Sequence, residues 1–596
     1  MKRKMWGLSF VVTAVLTLAS YNVEAETIKG TGTLSGTVAA PRAFQAAQMY
    51  ALNVDKNILY MVYTSNGRYR AMHLFPGNYE VRVEKKGLES DVKKIVVKAG
   101  ENTTADFSLR EVDPSAKDAR TGLGSRGGGA DRAQLVSYDV LYPPGPGRDA
   151  IEKNCGFCHG PDYFPRYHMS EQEWRKKGLS SQLNISGTGR RASPPLISPV
   201  TVGVHPRGEA IIAMKDTLNE RDTNLIAKYL ADNFGPSSPR RALKNDAEIP
   251  VDENALANAM YIEYYLPLDP KLDVAGAKRT PHDPHIGTDG NVWYTDTSIP
   301  NRIGRVDPRN GEFKDYKTPA TGQAQPHGLT VDEKGDVWWV DEFSLNLGHL
   351  DPRTGKIVYY DANADGSVTN GMINTPALDS QQNVWFTFLL GNKLGKWERK
   401  TEKIVLYDGP TKGQPGYGYG IVVDKSDKVW FAEYQRCRVA KFDPAIERFT
   451  EYPALPGPDP ECQVRRVGLD SKGMIWYDAW FGAPSRGKLG KIDPRNGEQV
   501  IYDIPLAWAG PYGMGVDPDD NVWAGDGGLG DRGTFIKFDQ KTKKFTYFPT
   551  PQIASYPNID ITREGAIWYT TRTEGNTAVG VLYPDATRIT SLAAYH

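Results

Sequence analysis

The sequence has few cysteines, no net charge and, after its first 25 residues, no long apolar run. Its 596 residues contain four cysteines, and Lys plus Arg (72) balances Asp plus Glu (72). Balanced charge argues against nucleic acid or an anionic membrane surface as a partner, because both select strongly basic surfaces. Since no later run is long enough to cross a bilayer, we expect no membrane span in the mature chain.

The first 25 residues have the three parts of a secretory signal peptide. Residues 2–4 are basic, residues 6–19 are apolar, and Val23 and Ala25 are small residues at the −3 and −1 positions of a cleavage site. We therefore expect cleavage after Ala25 and a periplasmic protein. The alternative is an uncleaved anchor.

Glycine (60), proline (41) and aromatic residues (11%) are plentiful, which favours many short strands joined by turns. Residues 27–110 alternate apolar and polar side chains, as a small β domain does. The stretch "TSNGRYRAMHLFPGNYEVRVEKKGLES", with Tyr69, Pro76, Gly77 and Tyr79, resembles the carboxypeptidase regulatory-like family. That resemblance implies a transthyretin-like β-sandwich that serves as a structural or carbohydrate-binding-like accessory.

A flexible linker and a small helical domain follow. Residues 111–135 are rich in glycine and charge and lack periodicity, so we predict a linker there. Residues 136–236 have helical spacing, clearest in "NERDTNLIAKYLADNFG". We expect residues 237–255 to be a second linker.

The motif "NCGFCHG" at residues 154–160 lies in this helical domain. A CxxC pair can be half a zinc site, a redox dithiol or a haem attachment site. Zinc lacks two further ligands at suitable spacing, and a dithiol lacks its βαβ setting. The histidine directly after the second cysteine favours covalent haem c, with thioethers to Cys155 and Cys158 and with His159 as the proximal iron ligand. The segment resembles the cytochrome c family, which implies one haem and electron transfer.

The sixth iron ligand is less defined by the sequence. In the cytochrome c family a ligand commonly precedes the last helix by a short loop, and Met214 in "IIAMKDTLNERD" has that position. A thioether ligand would raise the potential. Met169, His168 and His205 are rivals, and a five-coordinate iron is a further alternative. The sequence departs from the commonest family pattern because no proline follows Met214.

From residue 256 onward the chain repeats a unit anchored on tryptophan, spaced 45–47 residues apart. A period of this length with four short strands per unit predicts a seven-bladed β-propeller over residues 256–596. Ring closure is open between residues 260–269 and the C-terminal "RITSLAAYH". We expect the tryptophans to be packing residues. They are Trp293, Trp338, Trp385, Trp430, Trp476, Trp523 and Trp568.

The two remaining cysteines lie in propeller loops. Cys437 follows the second strand of the fourth blade, and Cys462 precedes the first strand of the fifth. These two classes of loop open on the same face, so we predict a Cys437–Cys462 disulfide in an oxidising compartment. Two free thiols are the alternative.

Residues 11 positions before each tryptophan should begin the innermost strands, beside the central channel. Most of them are polar or have a hydrogen-bonding tip, which indicates a ligand or metal site. The alternative is a water-filled channel, in which these side chains only form hydrogen bonds with backbone groups of the loops. The set is His282, His327, Asn374, Tyr419, Arg465, Tyr512 and Pro557.

"PHGLTVDEKGDVWWVDE" and "YGIVVDKSDKVWFAE" resemble the streptogramin B (virginiamycin B) lyase family over roughly residues 280–596. Members are metal-dependent lyases that open a cyclic depsipeptide by elimination. Carried onto this chain, the resemblance implies His282 and His327 as catalytic histidines, with His327 as a general base, and Glu342 as an acidic metal position. Gln325 stands where the family has a glutamate, so a Mg²⁺ site at Gln325 and Glu342 would be weaker or lost.

The sequence therefore predicts a mainly β, multidomain chain with a β-sandwich, a small all-α cytochrome c domain and a propeller. We favour an exported electron-transfer protein whose propeller binds a redox partner protein or a small-molecule substrate, because elimination needs no electrons. The alternatives are a metal-dependent lyase with an accessory haem domain, and a carbohydrate- or partner-binding scaffold.

Overall fold

The structure is a computed structural model. It describes residues 27–112, 134–154, 164–175, 220–243, 249–271, 273, 279–319, 324–368, 371–410, 418–434, 436–457, 462–480, 487–507, 509–526, 533–552, 554–571 and 576–596. Five residues predicted for haem binding or weighed as ligands, together with the signal peptide and most of the first linker, lie outside the described residues. The five are Cys155, Cys158, His159, His205 and Met214.

The N-terminal domain is a β-sandwich, as the alternating pattern predicts. One sheet has the order β4–β1–β8, with β9 also on β1, and the other has the order β10–β6–β5–β2–β3, with β7 on β5. The strands are β1 (Gly32–Ala39), β2 (Gln48–Asn53), β3 (Ile58–Tyr63), β4 (Arg68–Leu74), β5 (Gly77–Lys85), β6 (Leu88–Glu89), β7 (Lys93–Val97), β8 (Asn102–Thr104), β9 (Phe107–Ser108) and β10 (Arg110–Glu111).

Helices dominate the described part of the next region. Two strands, β11 (Gln134–Val136) and β12 (Arg241–Leu243), pair in parallel and bring its ends together. None of the helices in the described ranges is long and apolar enough to cross a membrane. The helices are α1 (Tyr138–Leu141), α2 (Pro146–Asn154), α3 (Glu171–Glu173), α4 (Glu220–Asn233) and, beyond β12, α5 (Glu253–Leu256), with a 3-10 turn at Phe164–Arg166.

Helices α2 and α4 cross closely. The crossing occurs at Gly147, where an added Cβ would lie 2.4 Å from the Cβ of Tyr229. The hydroxyl of Tyr229 donates to the carbonyl of Pro143 (2.8 Å). Ile226 and Leu230 of α4 are fully buried in the small core between the helices. The apolar stripe of α4, which the helical period predicts, therefore faces this core.

The C-terminal part is a seven-bladed propeller. Six blades are four-stranded antiparallel sheets of consecutive strands, and the seventh has the order β13–β40–β39–β38. The strands are β13 (Met260–Tyr265), β14 (Pro281–Ile286), β15 (Val292–Asp296), β16 (Arg302–Asp307), β17 (Glu312–Lys317), β18 (Pro326–Val331), β19 (Val337–Asp341), β20 (Asn346–Asp351), β21 (Lys356–Asp361), β22 (Met372–Leu378), β23 (Val384–Leu390), β24 (Lys393–Glu398), β25 (Lys403–Asp408), β26 (Gly418–Val423), β27 (Val429–Glu433), β28 (Arg438–Asp443), β29 (Arg448–Pro453), β30 (Val467–Leu469), β31 (Ile475–Ala479), β32 (Lys488–Ile492), β33 (Gln499–Asp503), β34 (Pro511–Val516), β35 (Val522–Asp526), β36 (Thr534–Phe538), β37 (Phe545–Pro549), β38 (Ile559–Ile561), β39 (Ile567–Thr570) and β40 (Ala578–Tyr583).

The blade tryptophans are packing residues, as predicted, because all seven are at most 1% exposed. In blades 2 to 6 the indole N–H also donates to an aspartate six residues earlier, at 2.8–3.2 Å. This bond connects the second strand to the turn before it. It also satisfies the buried indole N–H, which would cost free energy if it had no hydrogen bond. The pairs are Trp338–Asp332, Trp385–Asp379, Trp430–Asp424, Trp476–Asp470 and Trp523–Asp517.

The ring is closed by β13. This strand pairs antiparallel with β40 as the outermost strand of blade 7, which resolves the choice that the sequence leaves open. The C-terminal stretch instead runs beside blades 1 and 7, where the N–H of Ala594 donates to the carbonyl of Gly290 (3.0 Å). Closure thus depends on a strand that precedes the first blade in the chain.

The second edge of β13 pairs with β3 of the sandwich, so one continuous sheet joins the two domains. Their interiors also merge, since Tyr60 of β3, Ile262 of β13 and Trp568 of β39 belong to one buried cluster. The sandwich is therefore a packed extension of blade 7 rather than a tethered module.

We predict that Ile262→Asp destabilises both domains together by about 3–5 kcal/mol, because it puts an unpaired charge into the core that they share. Urea unfolding followed by circular dichroism should show one transition shifted to lower urea. Val500→Asp on the outer strand β33, where the side chain is 45% exposed, is the control and should change stability by less than about 0.5 kcal/mol. Separate transitions for the two domains in the wild type would contradict the shared core.

Candidate functional site

The innermost strands bring their first residues to the propeller axis. His282, His327, Asn374, Tyr419 and Tyr512 lie in β14, β18, β22, β26 and β34, and each is at most 5% exposed. Five of the seven positions 11 residues before the tryptophans therefore lie in innermost strands, around the centre of the ring.

A β-bulge lets two consecutive residues of a strand reach the axis. In blade 1, Pro281 pairs with Asp296 but Pro284 pairs with Tyr294, so one extra residue lies between the two pairs. The same shift occurs in blades 2, 4 and 6. Bulges re-aim side chains that would otherwise alternate between faces, and in blade 1 both His282 and Asp283 are fully buried at the centre.

The rings of His282 and His327 are in contact, with centroids 4.0 Å apart and ring planes tilted by 41°. Nδ1 of His327 lies 2.9 Å from the carbonyl oxygen of Asn374, which only accepts, so this nitrogen carries the proton. Nδ1 of His282 lies 2.8 Å from Oδ1 of Asp283, which makes it the donor to a carboxylate. In the neutral rings both lone pairs are then on Nε2, the arrangement of a base or of a metal ligand.

Threonines on the neighbouring second strands hold this pair. Thr295 accepts from the N–H of Asp283 (3.1 Å) and donates to the carbonyl of His327 (2.6 Å). Thr570 donates in the same way to the carbonyl of His282. Each histidine strand is thus bonded to the blade before it, which sets the ring-to-ring distance.

Arg466 crosses the axis and joins four blades. Its guanidinium donates to Asp283 of blade 1 (3.2 Å), to the hydroxyl of Thr375 of blade 3 (3.1 Å) and to the carbonyl of Pro557 of blade 7 (3.0 Å). Asn558 also donates to Asp283 (3.1 Å). Burial opposes the charge on Arg466, but Asp283 keeps its pKa above the ordinary value.

Tyrosines complete the opposite wall. The hydroxyls of Tyr419 and Tyr512 are 2.6 Å apart, and the guanidinium of Arg466 lies 5.1 Å from the ring centre of Tyr419. Arg465, the predicted axial residue of blade 5, instead stacks on Trp480 and Tyr512, at 4.6 Å from each ring centre. The electron-rich faces of the tyrosine rings favour keeping Arg466 charged on the axis.

Glu342 and Gln325 lie beside the histidine pair. Glu342 is fully buried, and Nδ2 of Asn374 lies 3.4 Å from its Oε1. Its N–H donates to the carbonyl of Gln325 (3.1 Å). Oε1 of Gln325 is buried and has no hydrogen-bond partner within the described part of the chain. The structure thus brings Glu342 and His327 to Asn374, and Gln325 lies beside Glu342. Of the two predicted metal positions, only Glu342 has a charged side chain.

Asp478 is a second buried carboxylate near the axis. Its Oδ1 accepts from the N–H groups of Arg465 (2.7 Å) and Arg466 (3.0 Å). Burial raises the pKa of Asp478 to about 7 despite these bonds. It therefore anchors the backbone directly before β30 in blade 5.

The sequence-based set missed Asp283, Arg466, Thr375 and Asn558, and a simple signal exists for them. They lie ten residues before their tryptophans, one position further along the chain than the predicted set. At that position blades 2, 4 and 6 have glycine, and a Cβ on Gly420 would lie 2.9 Å from the Cα of Arg466. Polar side chains of the odd-numbered blades therefore fill the axis where the even-numbered blades leave room.

Cys437 and Cys462 form a disulfide with a Cα–Cα distance of 4.7 Å. It links the loop after β27 to the approach to β30, and both sulfur-bearing residues are buried. The bridge therefore connects blades 4 and 5 on the side where the axial strands begin.

Two family models match the chain. The Virginiamycin B lyase family matches residues 271–527, and the carboxypeptidase regulatory-like domain matches residues 33–110. The propeller is therefore Virginiamycin B lyase-like in fold, and the sandwich is carboxypeptidase regulatory-like. Among curated proteins, no relative matches the chain.

Solved structures are similar to about half of the chain. A streptogramin B lyase structure is 22% identical with a TM-score of 0.46, over 55% of this chain and 98% of its own. A catalytically inactive virginiamycin B lyase from Staphylococcus aureus with quinupristin is 20% identical with a TM-score of 0.44, over 52% and 97%. The WD40 β-propeller domain of Doa1 is 12% identical with a TM-score of 0.39, over 53% and 96%.

We predict that Arg466→Met costs about 3–5 kcal/mol of stability, because it leaves Asp283 charged and buried without its partner. Combined with Asp283→Asn, the loss should be smaller than the sum of the single losses by at least about 1 kcal/mol in urea unfolding. The surface pair Arg495→Met and Asp493→Asn, in which Arg495 is 76% exposed, is the control cycle and should be nearly additive. Additive losses at the axis would contradict the pairing.

Proposed function

We propose that the propeller is a lyase that removes a proton from its substrate at the axial histidine pair. The observation that carries this proposal is the tautomer of the pair, in which Nδ1 of both rings is bonded and Nε2 holds the lone pair. The match of residues 271–527 to the Virginiamycin B lyase family supports an elimination reaction. The alternative of a carbohydrate- or partner-binding scaffold gives no reason for two oriented bases.

In the proposed step, His327 is the base. Its Nε2 takes the proton from the carbon next to an ester-linked carbon, the C–H electron pair forms a C=C bond, and the ester C–O bond breaks to release a carboxylate. Only one of two rings 4.0 Å apart can carry the new charge, because two adjacent imidazolium ions repel. The carboxylate of Asp283 accepts from Nδ1 of His282 and orients that ring beside the protonated His327.

The family resemblance implies a Mg²⁺ ion. The residues present could hold one, although the site would have one carboxylate and one neutral amide in place of two carboxylates. Oε1 of Gln325, which has no partner among the described residues, and the carboxylate of Glu342 would hold it. Mg²⁺ accepts one carboxylate together with neutral oxygens and water. When bound, the ion would polarise a carbonyl of the substrate. Glu342 remains oriented by Asn374 in either case.

We predict that quinupristin is linearised by the full-length protein with Mg²⁺, and that His327→Ala lowers the rate by about 10²–10⁴-fold, because the base is lost. Mass spectrometry of the product distinguishes elimination, with unchanged mass, from hydrolysis, which adds water. His349→Ala, which removes the His349–Asp336 pair outside the axis, is the control and should keep full activity. Equal rates in His327→Ala and wild type, or no conversion by wild type, would contradict the lyase.

We also propose that the chain is an exported c-type cytochrome that transfers electrons. The supporting observation is the packing of α2 against α4 through Gly147 and Tyr229, since α2 ends at Asn154, directly before Cys155. This is the packing that the resemblance to the cytochrome c family implies. Two thiols that can form thioethers to the porphyrin, together with an imidazole that can bind iron, suit haem c.

In this proposal Cys155 and Cys158 would hold the haem covalently through its vinyl groups, and His159 and Met214 would be the ligands of its iron. The haem would supply one-electron transfer when bound. Two of the rivals for the sixth position are described: Nδ1 of His168 lies 3.1 Å from the carbonyl of Gly235, and the N–H of Met169 donates to the carbonyl of Phe234 (3.1 Å). Both are thus held at the C-terminal end of α4. Periplasmic export would provide the oxidising setting and a redox partner.

We predict that the double variant Cys155→Ala with Cys158→Ala yields a colourless protein, because no thiol remains to bind the porphyrin. Absorption after acid–acetone extraction should show covalent haem in the wild type only. The control is Cys437→Ser with Cys462→Ser, which removes the other cysteine pair and should keep the haem. A Soret band that survives denaturation in the Cys155/Cys158 variant would contradict attachment at these residues.

A further inference from the structure

A second cluster of histidine and carboxylate lies away from the axis, where blade 1 meets blade 7. We call it the seam cluster: His285 of β14, Asp560 of β38 and His596. Nδ1 of His285 lies 3.0 Å from Oδ2 of Asp560, and Nε2 of His596 lies 3.2 Å from the same oxygen. The two ring centres are 5.2 Å apart.

We propose that the seam cluster binds a Zn²⁺ ion through one nitrogen of each histidine and Oδ2 of Asp560, with water as the fourth ligand. In a tetrahedral zinc site with bonds of about 2.0–2.2 Å, donor atoms are about 3.3–3.5 Å apart. The observed separations from Asp560 are 3.0 Å and 3.2 Å, and all three donors lie within 4.8 Å of one another. Small side-chain shifts are enough to open the cluster around the ion.

The donor set selects the class of metal. Two imidazoles and one carboxylate suit Zn²⁺ and its first-row neighbours, whereas Mg²⁺ and Ca²⁺ prefer oxygen ligands. The side chains of His285, Asp560 and His596 are 24%, 16% and 50% exposed, which leaves an entry path and room for water. The site is therefore open to solvent, unlike the axial pair.

Hydrogen bonds from neighbouring residues orient two of the proposed ligands, His285 and Asp560. Nε2 of His285 lies 3.4 Å from the hydroxyl of Thr330, which leaves Nδ1 towards Asp560. Asp560 accepts from the N–H of Ile286 through Oδ2 (2.8 Å) and from the N–H of Ile561 through Oδ1 (3.0 Å). Such bonds to ligating side chains are a regular feature of protein metal sites.

The three side chains of the seam cluster already shift one another's pKa values without a metal. The two histidines hold the pKa of Asp560 far below its ordinary value, although burial alone would raise it. Asp560 in turn raises the pKa of His596. A proton on His596 is then the natural competitor of the metal, since binding requires the neutral imidazole.

The position of the cluster gives the metal a structural role. In blades 2 to 6 an aspartate accepts a hydrogen bond from the tryptophan. Blades 1 and 7 lack this aspartate and have Gly287 and Thr562 at its position. The C-terminal segment with His596 is bonded to both blades, through Ala594 to Gly290 (3.0 Å) and through Tyr595 to Arg563 (3.0 Å). An ion at the seam cluster would therefore link blade 1, blade 7 and the residues after β40.

Titration of the EDTA-treated full-length protein with ZnCl₂ by calorimetry, with zinc counted by mass spectrometry, tests the proposal. Wild type should bind one zinc more than His596→Ala, or bind it at least about tenfold more tightly, and zinc should raise the Tm of wild type only. His596 is half exposed, so this variant should fold. Asp560→Asn should behave like His596→Ala.

Two controls separate this site from others. His349→Ala removes a histidine paired with a single carboxylate, Asp336, at 3.2 Å and should leave zinc binding unchanged. His327→Ala removes the axial imidazole and should also keep the seam zinc. Equal zinc stoichiometry, affinity and Tm shift in wild type and His596→Ala would overturn the proposal and leave the cluster as an ion pair.

Discussion

The axial charge pair between Asp283 and Arg466 is the interaction on which the arrangement of the propeller centre depends. Two charges that are at most 3% exposed are tolerated only when each satisfies the other and its remaining bonds are made. Here Arg466 reaches blades 1, 3 and 7 from blade 5, and Asp283 orients His282. The same pair therefore holds the blades in register and sets the tautomer of the imidazole that faces His327.

Ring closure and domain organisation have a common origin in β13. Because this strand pairs with β40 on one edge and with β3 on the other, the sandwich protects the edge that an isolated blade 7 would expose. The sandwich therefore has a structural role, because it covers the free edge of β13. The helical region, by contrast, has its own small core between α2 and α4.

Much of this fold follows from the sequence, because its signals are local and repeated. Alternation predicts the sandwich, the period of 45–47 residues predicts seven blades, and the position 11 residues before each tryptophan finds the axial histidines. The partner of β13 could not be predicted, since strand pairing is non-local and two segments have the same pattern. Asp283 was missed because a bulge in β14 brings the next residue to the axis, which a strict alternation excludes. Arg466 was missed because it is one residue beyond the counted position, directly before β30.

The most direct measurement of the central claim is the tautomeric state of the axial histidines. In protein labelled with ¹⁵N-histidine, long-range ¹H–¹⁵N correlation spectra at neutral pH, assigned with His282→Ala and His327→Ala, report which ring nitrogen carries the proton. The structure predicts a protonated Nδ1 and an unprotonated Nε2 on His327, with Nδ1 of His282 bonded to Asp283. A proton on Nε2 of His327 would contradict an axial base and the function proposed from it.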